Sequence, residues 1–383
     1  MAKIKNRFSE KAIITVHDNL LANLYQLNLS SVTVKVIDEE EYLINEISGR
    51  DYSIALIAKI PTDLLTVNNH VYKFSELSTQ KQEEIFNLLK DNLYFSNVEI
   101  LFCNILFDRY LKTDYDYDFS LTEFERDYRR RDKAKKIRIS DVNYKRYVTT
   151  LNKLSKKEII IDTKAKFRTQ GVRNYGVNNL KTKQKLISFT SLYYKSENDI
   201  IFSYHFSQFG KVIKLSRRYS NILLPKFYQY RLNQSMKHVI AYFIAIEIFI
   251  RKDPHKKYSN SFMLDVNSIF QKVHYETRKG ECKGYSLASK LDGFKSLPNK
   301  LRTYKMTLKY INEILADFVS NKTIYDYEVK YDYDETEDFQ EKHQYDYDLD
   351  GNLIYNFALN DVGRDVDVSF LIYLDSPINH LWK

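Results

Sequence analysis

The chain has 383 residues, of which 44% are hydrophobic and 28% charged, and this balance excludes a wholly disordered protein. Only 9 glycines and 5 prolines occur, and GxGxxG and GxxxxGKS/T motifs are absent, which excludes the common glycine-built phosphate sites. Cys103 and Cys282 form no CxxC pair, which argues against a zinc finger or a disulfide framework. No stretch of about 18 uncharged apolar residues occurs. We therefore expect a cytoplasmic protein with no membrane contact, no cofactor and no bound metal.

Basic and acidic residues are segregated along the chain, whose net charge is +9. From Arg126 to Lys185 there are 20 Lys and Arg against 5 Asp and Glu, an excess larger than that of the whole chain. From Lys330 to Phe370 the balance is reversed, with 3 basic and 12 acidic residues. Because a solubilising surface usually mixes both signs of charge, the basic segment predicts contact with nucleic acid.

The first 90 residues have the pattern of strands. Short apolar runs at Ala12 to Val16, Val32 to Ile37 and Ser53 to Ala58 are separated by polar turns. From Ser78 to Leu111 apolar residues instead recur every three or four positions, which is typical of helices. The sequence therefore predicts a small β-rich N-terminal region followed by helices.

An amphipathic helix is predicted within the basic segment. Ser120 and Glu123 have the spacing of a capping box, which predicts a short helix starting at Ser120. A second helix is expected to begin at Ser140 or Asp141. Its apolar stripe consists of Tyr144, Tyr147, Val148, Leu151 and Leu154. Its outward side chains are Asn143, Lys145, Arg146, Thr149, Thr150 and Lys153.

A strand, a long basic loop and another strand are predicted after this helix. The strands are expected at residues 159–162 and 186–189, with a polar loop over residues 163–184 between them. The order of helix, shorter helix, amphipathic helix and strand is therefore complete by residue 162.

The second half of the chain repeats this order of elements. Ser235 to Arg251 predicts an apolar helix, and Ser261 to Val273 a short strand with a short helix. Pro298 opens a long helix, and a strand is expected at residues 323–329. The apolar stripe of the long helix consists of Leu301, Tyr304, Leu308, Ile311, Leu315 and Phe318.

Three helices followed by a hairpin form a winged helix, whose third helix reads base edges in the major groove while the hairpin contacts phosphates. The predicted contacts before and on the first amphipathic helix are Arg129, Arg130, Arg131, Lys133, Lys135, Lys136, Arg138, Asn143, Lys145, Arg146 and Lys153. The predicted wing contacts are Lys164, Lys166, Arg168 and Arg173. The predicted contacts on the second amphipathic helix are Lys300, Arg302, Thr303 and Lys305. For this second set a merely solvated surface stays open, because Gln271 to Val329 holds 11 basic and 7 acidic residues.

In this order of elements the chain resembles the tandem winged-helix replication initiators of plasmids and related mobile elements. Two stretches carry the resemblance, residues 91–190 and 234–331, which contain the amphipathic helices and strands of Tyr144 to Ile161 and Leu301 to Val329. The resemblance implies binding of repeated double-stranded DNA sites at an origin, local opening of the duplex and recruitment of host replication proteins. A transcriptional or partition regulator with the same domains is the alternative. The sequence does not decide the oligomeric state.

The expected fold class is α+β, with two winged-helix domains and a small β-rich N-terminal region. The predicted segments are the N-terminal region at residues 1–90, the winged-helix domains at residues 91–230 and 231–331, and an acidic β-hairpin tail at residues 332–383. The tail is either solvating or, as a hypothesis from its charge, lies over the basic segment and competes with DNA.

Enzymatic function is not expected from the sequence. The eight histidines include no pair around one apolar residue, as a rolling-circle nickase would need, and a phosphate loop for an NTP-driven motor is absent. Asp114, Asp116 and Asp118 alternate, so on a strand they would share one face and suit Mg²⁺. A metal-dependent nuclease using these carboxylates is therefore the second alternative.

Overall fold

The computed structural model divides into two compact units. Unit 1 comprises Met1–His238 and His274–Tyr285, and unit 2 comprises Val239–Val273 and Ser286–Lys383. Both units mix helices with sheets, which confirms the predicted α+β class. The residues that the structure describes are 12–17, 25, 32–48, 52–112, 118–129, 138–163, 183–196, 199–207, 210, 219–224, 235–252, 260–276, 282–292, 297–333, 345–347, 353–355 and 366–375.

The described elements are numbered along the chain. The helices are α1 (Thr79–Leu89), α2 (Asn97–Lys112), α3 (Leu121–Arg129), α4 (Asp141–Lys156), α5 (Ser235–Arg251), α6 (Val266–Lys272), α7 (Leu287–Asp292) and α8 (Leu297–Ser320). Strands from the first part of the chain are β1 (Ala12–His17), β2 (Thr33–Ile37), β3 (Glu40–Ser48), β4 (Tyr52–Lys59), β5 (Thr66–Val67), β6 (His70–Val71), β7 (Asp118–Ser120), β8 (Glu158–Thr163), β9 (Lys183–Lys185), β10 (Ile187–Ser196), β11 (Asp199–Phe206) and β12 (Tyr219–Leu224). The later strands are β13 (Ser261–Asp265), β14 (His274–Glu276), β15 (Cys282–Ser286), β16 (Asp326–Tyr333), β17 (Tyr345–Tyr347), β18 (Leu353–Tyr355) and β19 (Val366–Tyr373). Short 3-10 turns lie at Thr62–Leu65, Phe74–Glu76 and Lys90–Asn92.

A five-stranded antiparallel sheet in unit 1 has the order β2-β3-β4-β8-β9. Asp38 and Glu39, both with positive φ, form the tight turn between β2 and β3. One face of the sheet packs Leu43 and Ala58 against Ile85 and other buried residues of α1. Because β8 follows the basic helix yet pairs with β4, the predicted N-terminal region and the basic segment share one sheet. The domain limits predicted at residues 90, 230 and 331 therefore differ from those of the two units.

A second sheet and the helices α2, α3 and α4 also belong to unit 1. The sheet has the order β10-β11-β7, and α2, α3 and α4 meet at the buried rings of Phe102, Phe124 and Tyr147, whose centroids are 4.3–5.4 Å apart. The predicted capping box before α3 is confirmed, because the Ser120 and Glu123 backbone N–H groups donate to the Glu123 and Ser120 side chains respectively, each at 3.1 Å. These contacts fix the N-terminal end of α3.

The sheet of unit 2 has the order β13-β19-β16, so β19 is its middle strand. Val368, Phe370 and Ile372 of β19 are buried, whereas the side chains between them are partly exposed. This period-two alternation explains why a strand from the acidic segment belongs to the core. The β-hairpin predicted within the acidic tail agrees with the pairing of β17 with β18.

No described helix is both long enough and apolar enough to cross a membrane.

A buried histidine gives unit 1 a predicted pH dependence. His274 stacks on Tyr94 with ring centroids 5.2 Å apart, and its carbonyl oxygen accepts a 2.6 Å hydrogen bond from Asn97 Nδ2. Burial, and secondly the charge of Lys157, lower the pKa of His274 to about 4. The unfolded chain therefore takes up a proton near its ordinary pKa of about 6.5, before the folded chain does.

The free energy of unfolding is expected to fall as the pH is lowered from about 6.5 to about 4. His274→Phe keeps an aromatic ring beside Tyr94 and should lose part of this dependence. The measurement is urea unfolding of wild type and variant at several pH values. Burial, followed by the charge of Lys237, also lowers the pKa of His238, so only the difference between the two proteins reports on His274. An equal pH dependence of both proteins would contradict this prediction.

Candidate nucleic-acid interface

The basic helix α4 begins where the sequence predicts. Ser140 is its N-cap residue, and the Ser140 hydroxyl oxygen accepts a 3.4 Å hydrogen bond from the Asn143 backbone N–H. Tyr147, Leu151 and Leu154 are buried, which confirms that side of the predicted apolar stripe. The burial of these residues leaves the opposite face of α4 exposed to solvent.

A row of exposed side chains follows the free face of α4. They are spaced 3, 4, 3 and 4 residues apart, so they align on one side of the helix. This α4 stripe consists of Val142, Lys145, Thr149, Asn152 and Lys156. The α4 stripe offers ammonium, hydroxyl and amide groups, which are suited to donate to base edges and phosphates. In the part of the chain that the structure describes, Lys145 forms no ion pair, so its ammonium group is available to a ligand.

The C-terminal end of α4 is fixed to the start of α2. Lys157, directly after α4, is buried, and its Nζ donates to the carbonyl oxygens of Asp91 and Tyr94 at 2.6 and 2.7 Å. The same Nζ lies 3.3 Å from Glu99 Oε1. Glu99 Oε2 accepts a 2.8 Å hydrogen bond from the backbone N–H of Ser96, whereas Oε1 has the ion pair with Lys157 and no hydrogen bond. The α4 stripe is therefore held in a fixed direction by a buried ion pair.

A similar exposed row lies on α8 in unit 2. Its members are spaced 4, 3, 4, 3 and 4 residues apart, and the opposite side of the helix buries Tyr304, Ile311, Leu315 and Phe318 as the sequence predicts. This α8 stripe consists of Arg302, Met306, Lys309, Glu313, Ala316 and Ser320. Its basic members lie in the N-terminal half of the helix, whereas Glu313, 4.0 Å from Lys309, begins a less basic half. The N-terminal half of α8 is therefore the part suited to contact DNA.

The structure separates the predicted contact residues by exposure. Arg138, Lys145, Lys153 and Arg302 are exposed, and Asn143, Arg146, Thr303 and Lys305 are half-buried. Lys153 lies in an exposed 2.9 Å ion pair with Asp91, an interaction weak enough to exchange for a phosphate. Arg129 ends α3 and Lys300 lies in the first turn of α8; only their backbone is described. Outside the described residues are Arg130, Arg131, Lys133, Lys135, Lys136, Lys164, Lys166, Arg168 and Arg173.

One predicted outward residue is wrong, and several exposed residues were not predicted, among them Lys156. Thr150 is buried, and its hydroxyl donates a 2.8 Å hydrogen bond to the carbonyl oxygen of Arg146, because Thr150 lies three residues after Tyr147 on the packed side. Others are Val142, Asn152 and Met306. The regular spacing of Val142 and Asn152 from Lys145 was the signal that would have found them.

A metal site and an apolar cleft are the other candidate features. Asp114 and Asp116 lie outside the described residues, Asp118 lies in β7, and the described residues contain no group of three or more His, Cys, Asp or Glu that could hold a metal ion. A cleft of about 250 Å³ lies between α4 and the β10–β11 hairpin. Its lining is mainly apolar and contains no carboxylate, histidine or cysteine. The polar groups of the lining include the amine of Lys185 and the hydroxyl groups of Ser155 and Ser188.

Comparison with known proteins gives one weak structural similarity. No protein-family model and no curated protein matches the sequence. Among solved structures, the chain is similar to the crystal structure of a selenomethionine derivative of domains 2 and 3 of RctB, with a TM-score of 0.36 and 9% sequence identity. The similarity covers 94% of this chain and 98% of the RctB chain. A similarity of this degree does not establish a common fold.

Proposed function

We propose that this chain binds double-stranded DNA sequence-specifically through two winged-helix units, and that it initiates replication of a plasmid or other mobile element. The observation that carries the proposal is the recurrence, in both units, of an amphipathic helix with a basic exposed stripe, directly before a strand. A single basic helix would be weak support, because charged helix faces are usually only solvated.

The strand order supports the winged-helix interpretation. In unit 1, β7 lies between α2 and α3 in the chain and pairs with β11, which forms a hairpin with β10 after α4. In unit 2, β13 lies between α5 and α6 and pairs with β19, which also pairs with β16 after α8. In unit 1, a strand between the first two helices joins the hairpin that follows the third helix, which is the winged-helix arrangement. Unit 2 differs in that the short helix α7 lies between α6 and α8, so α8 is its fourth helix and takes the place of the third. This arrangement leaves one face of the third helix exposed for the major groove.

The side chains of α4 suggest how DNA would be bound. Lys145 and Asn152 lie on the α4 stripe. A lysine in the major groove donates to guanine O6 or N7, and an asparagine amide pairs with adenine N6 and N7. The excess of positive charge between Arg126 and Lys185 supplies phosphate contacts that add affinity without reading sequence. Sequence reading is therefore assigned to the helix stripes, and most of the affinity to the basic segment.

Lys145→Ala is expected to weaken binding to the preferred duplex about tenfold, because the variant loses a donor on the α4 stripe. The preferred duplex is first recovered from a randomised pool with the full-length protein, and affinities are then measured by fluorescence anisotropy. The matched control is Lys81→Ala, which removes a half-buried lysine of α1 that forms an ion pair with Glu84. The control should bind within twofold of wild type. Equal losses in both variants would mean that total charge, and not α4, determines binding.

The replication role is tested separately from DNA binding. An initiator predicts that the recovered sequence occurs as several repeats beside its own gene, together with DNA synthesis that requires the protein. A single site overlapping a promoter, without such synthesis, would instead support the transcriptional regulator.

A further inference from the structure

We propose that Val142 on α4 and Met306 on α8 contact thymine 5-methyl groups, so that the target of each unit contains a required thymine. This inference rests on the proposed DNA-binding function and specifies the base that each helix selects. Thymine is the base that presents a methyl group in the major groove, next to its O4 acceptor. An apolar side chain on a recognition helix therefore distinguishes thymine from the other bases by contact alone.

The exposure of Val142 is unusual for its residue type. Val142 is 76% exposed, the highest value among the exposed large hydrophobic side chains of the described residues. Valine also has a lower helix propensity than alanine or the long polar residues, so its place in the first turn of α4 gains nothing from local helix stability. The exposed methyl groups of Val142 are explained if a binding partner covers them.

Met306 on α8 has the same spacing to an exposed lysine, although it lies further along its helix than Val142 does. It is 40% exposed and lies three residues before the exposed Lys309, as Val142 lies three residues before the exposed Lys145. Each unit therefore presents an apolar side chain and an ammonium group on the same exposed stripe. Two units with different sequences share this pair of groups at the same spacing.

The spacing of each pair fits neighbouring base pairs. Three residues advance an α-helix by about 4.5 Å, close to the rise of about 3.4 Å between successive bases of a DNA strand. The apolar side chain can thus contact a thymine methyl while the lysine donates to an adjacent guanine or to its phosphate. The charges favour DNA as the occupant, because Asp141 is the only carboxylate of α4 and because α8 contains no carboxylate before Glu313.

Isolated exposed apolar residues also occur without function, and one of them, Leu88, provides the control. Val36 on β2 and Leu88 on α1 are 66% and 64% exposed. Neither residue lies on a proposed recognition helix. Leu88→Ala therefore removes comparable exposed apolar surface from a helix while leaving the proposed contacts in place.

The test replaces single thymines by uracil, which removes the methyl group and keeps base pairing and O4. On the duplex recovered from a randomised pool, wild type is expected to lose about threefold to fivefold in affinity at one thymine for each unit. Val142→Ala should bind the unmodified duplex more weakly by a similar factor and become insensitive to uracil at the first position. Met306→Ala should do the same at the second position, and Leu88→Ala should retain the wild-type response at both.

The outcomes separate this inference from the proposed function. If wild type prefers the recovered duplex but tolerates uracil at every position, methyl recognition is overturned and sequence-specific binding stands. If Val142→Ala and Met306→Ala remain as sensitive to uracil as wild type, other side chains contact the methyl groups and the assignment is wrong. If selection enriches no sequence, the proposed function fails, and the inference fails with it.

Discussion

Lys157→Met is expected to lower the free energy of unfolding of unit 1 by about 3–5 kcal/mol. The substitution keeps an unbranched side chain but removes the cation that Glu99 and the carbonyl oxygens of Asp91 and Tyr94 surround. The carboxylate of Glu99 then remains buried without a counter-charge, and the buried carbonyl oxygen of Tyr94 and the part-buried one of Asp91 lose their donor. The loss therefore exceeds that of a typical surface substitution.

Two further variants identify the cause of this loss. Lys153→Met removes an exposed lysine from the same helix, and its ion pair with Asp91 should be worth less than about 1 kcal/mol. Glu99→Gln combined with Lys157→Met should recover part of the stability, because the uncompensated charge is gone. Amide hydrogen exchange of peptides from α2 and α4 reports on unit 1 alone. Similar protection in Lys153→Met and Lys157→Met would contradict the structural role of the buried ion pair.

A chain that ends at Asp365 is expected to lose the fold of unit 2. The truncation removes β19, to which both β13 and β16 are hydrogen-bonded in the middle of the sheet. It also removes the buried side chains of Phe370 and Ile372, each of which typically contributes 2–5 kcal/mol. Such losses together exceed the usual stability of a small unit.

Hydrogen exchange distinguishes this result from general damage. In the chain ending at Asp365, peptides from α8 should lose protection while peptides from α4 keep it. A chain ending at Asp375 retains β19 and is the matched control. Continued protection of α8 in the shorter chain would contradict the assignment of β19 as a core strand.

The hypothesis that the acidic tail competes with DNA needs a different experiment. Deletion of residues 331–383 would remove β19 and so cannot test whether the acidic residues compete with DNA. Replacement of Glu335, Glu337 and Asp338 by glutamine or asparagine is the appropriate experiment.

Local patterns in the sequence predicted the helices better than the sheets. The Ser120 capping box and the apolar stripes of α4 and α8 depend on residues within one or two turns, and the structure confirms them. Strand partners depend on long-range packing, so the pairing of β4 with β8 and the central position of β19 were not predicted. For the same reason, the domain limits drawn from sequence place these paired strands in different segments.

The candidate site was predicted in its charge but not in its detailed surface. Composition alone located the basic segment, but it could not separate Lys156, which is exposed, from its neighbour Lys157, which is buried. That difference arises at the end of α4, where the chain leaves the helix and turns one lysine toward Glu99. Val142 was not predicted because only polar and charged side chains of α4 were considered as candidates for the outward face.

The central claim is sequence-specific binding of double-stranded DNA, and fluorescence anisotropy on two duplexes tests it most directly. The full-length protein is titrated with the recovered duplex and with a shuffled duplex of equal composition, in EDTA and over about 50–200 mM salt. We expect preferential binding of the recovered duplex at each salt concentration, and an affinity that falls with salt at a slope corresponding to several phosphate contacts. Equal affinity for both duplexes, or no binding at the lowest salt concentration, would contradict the account.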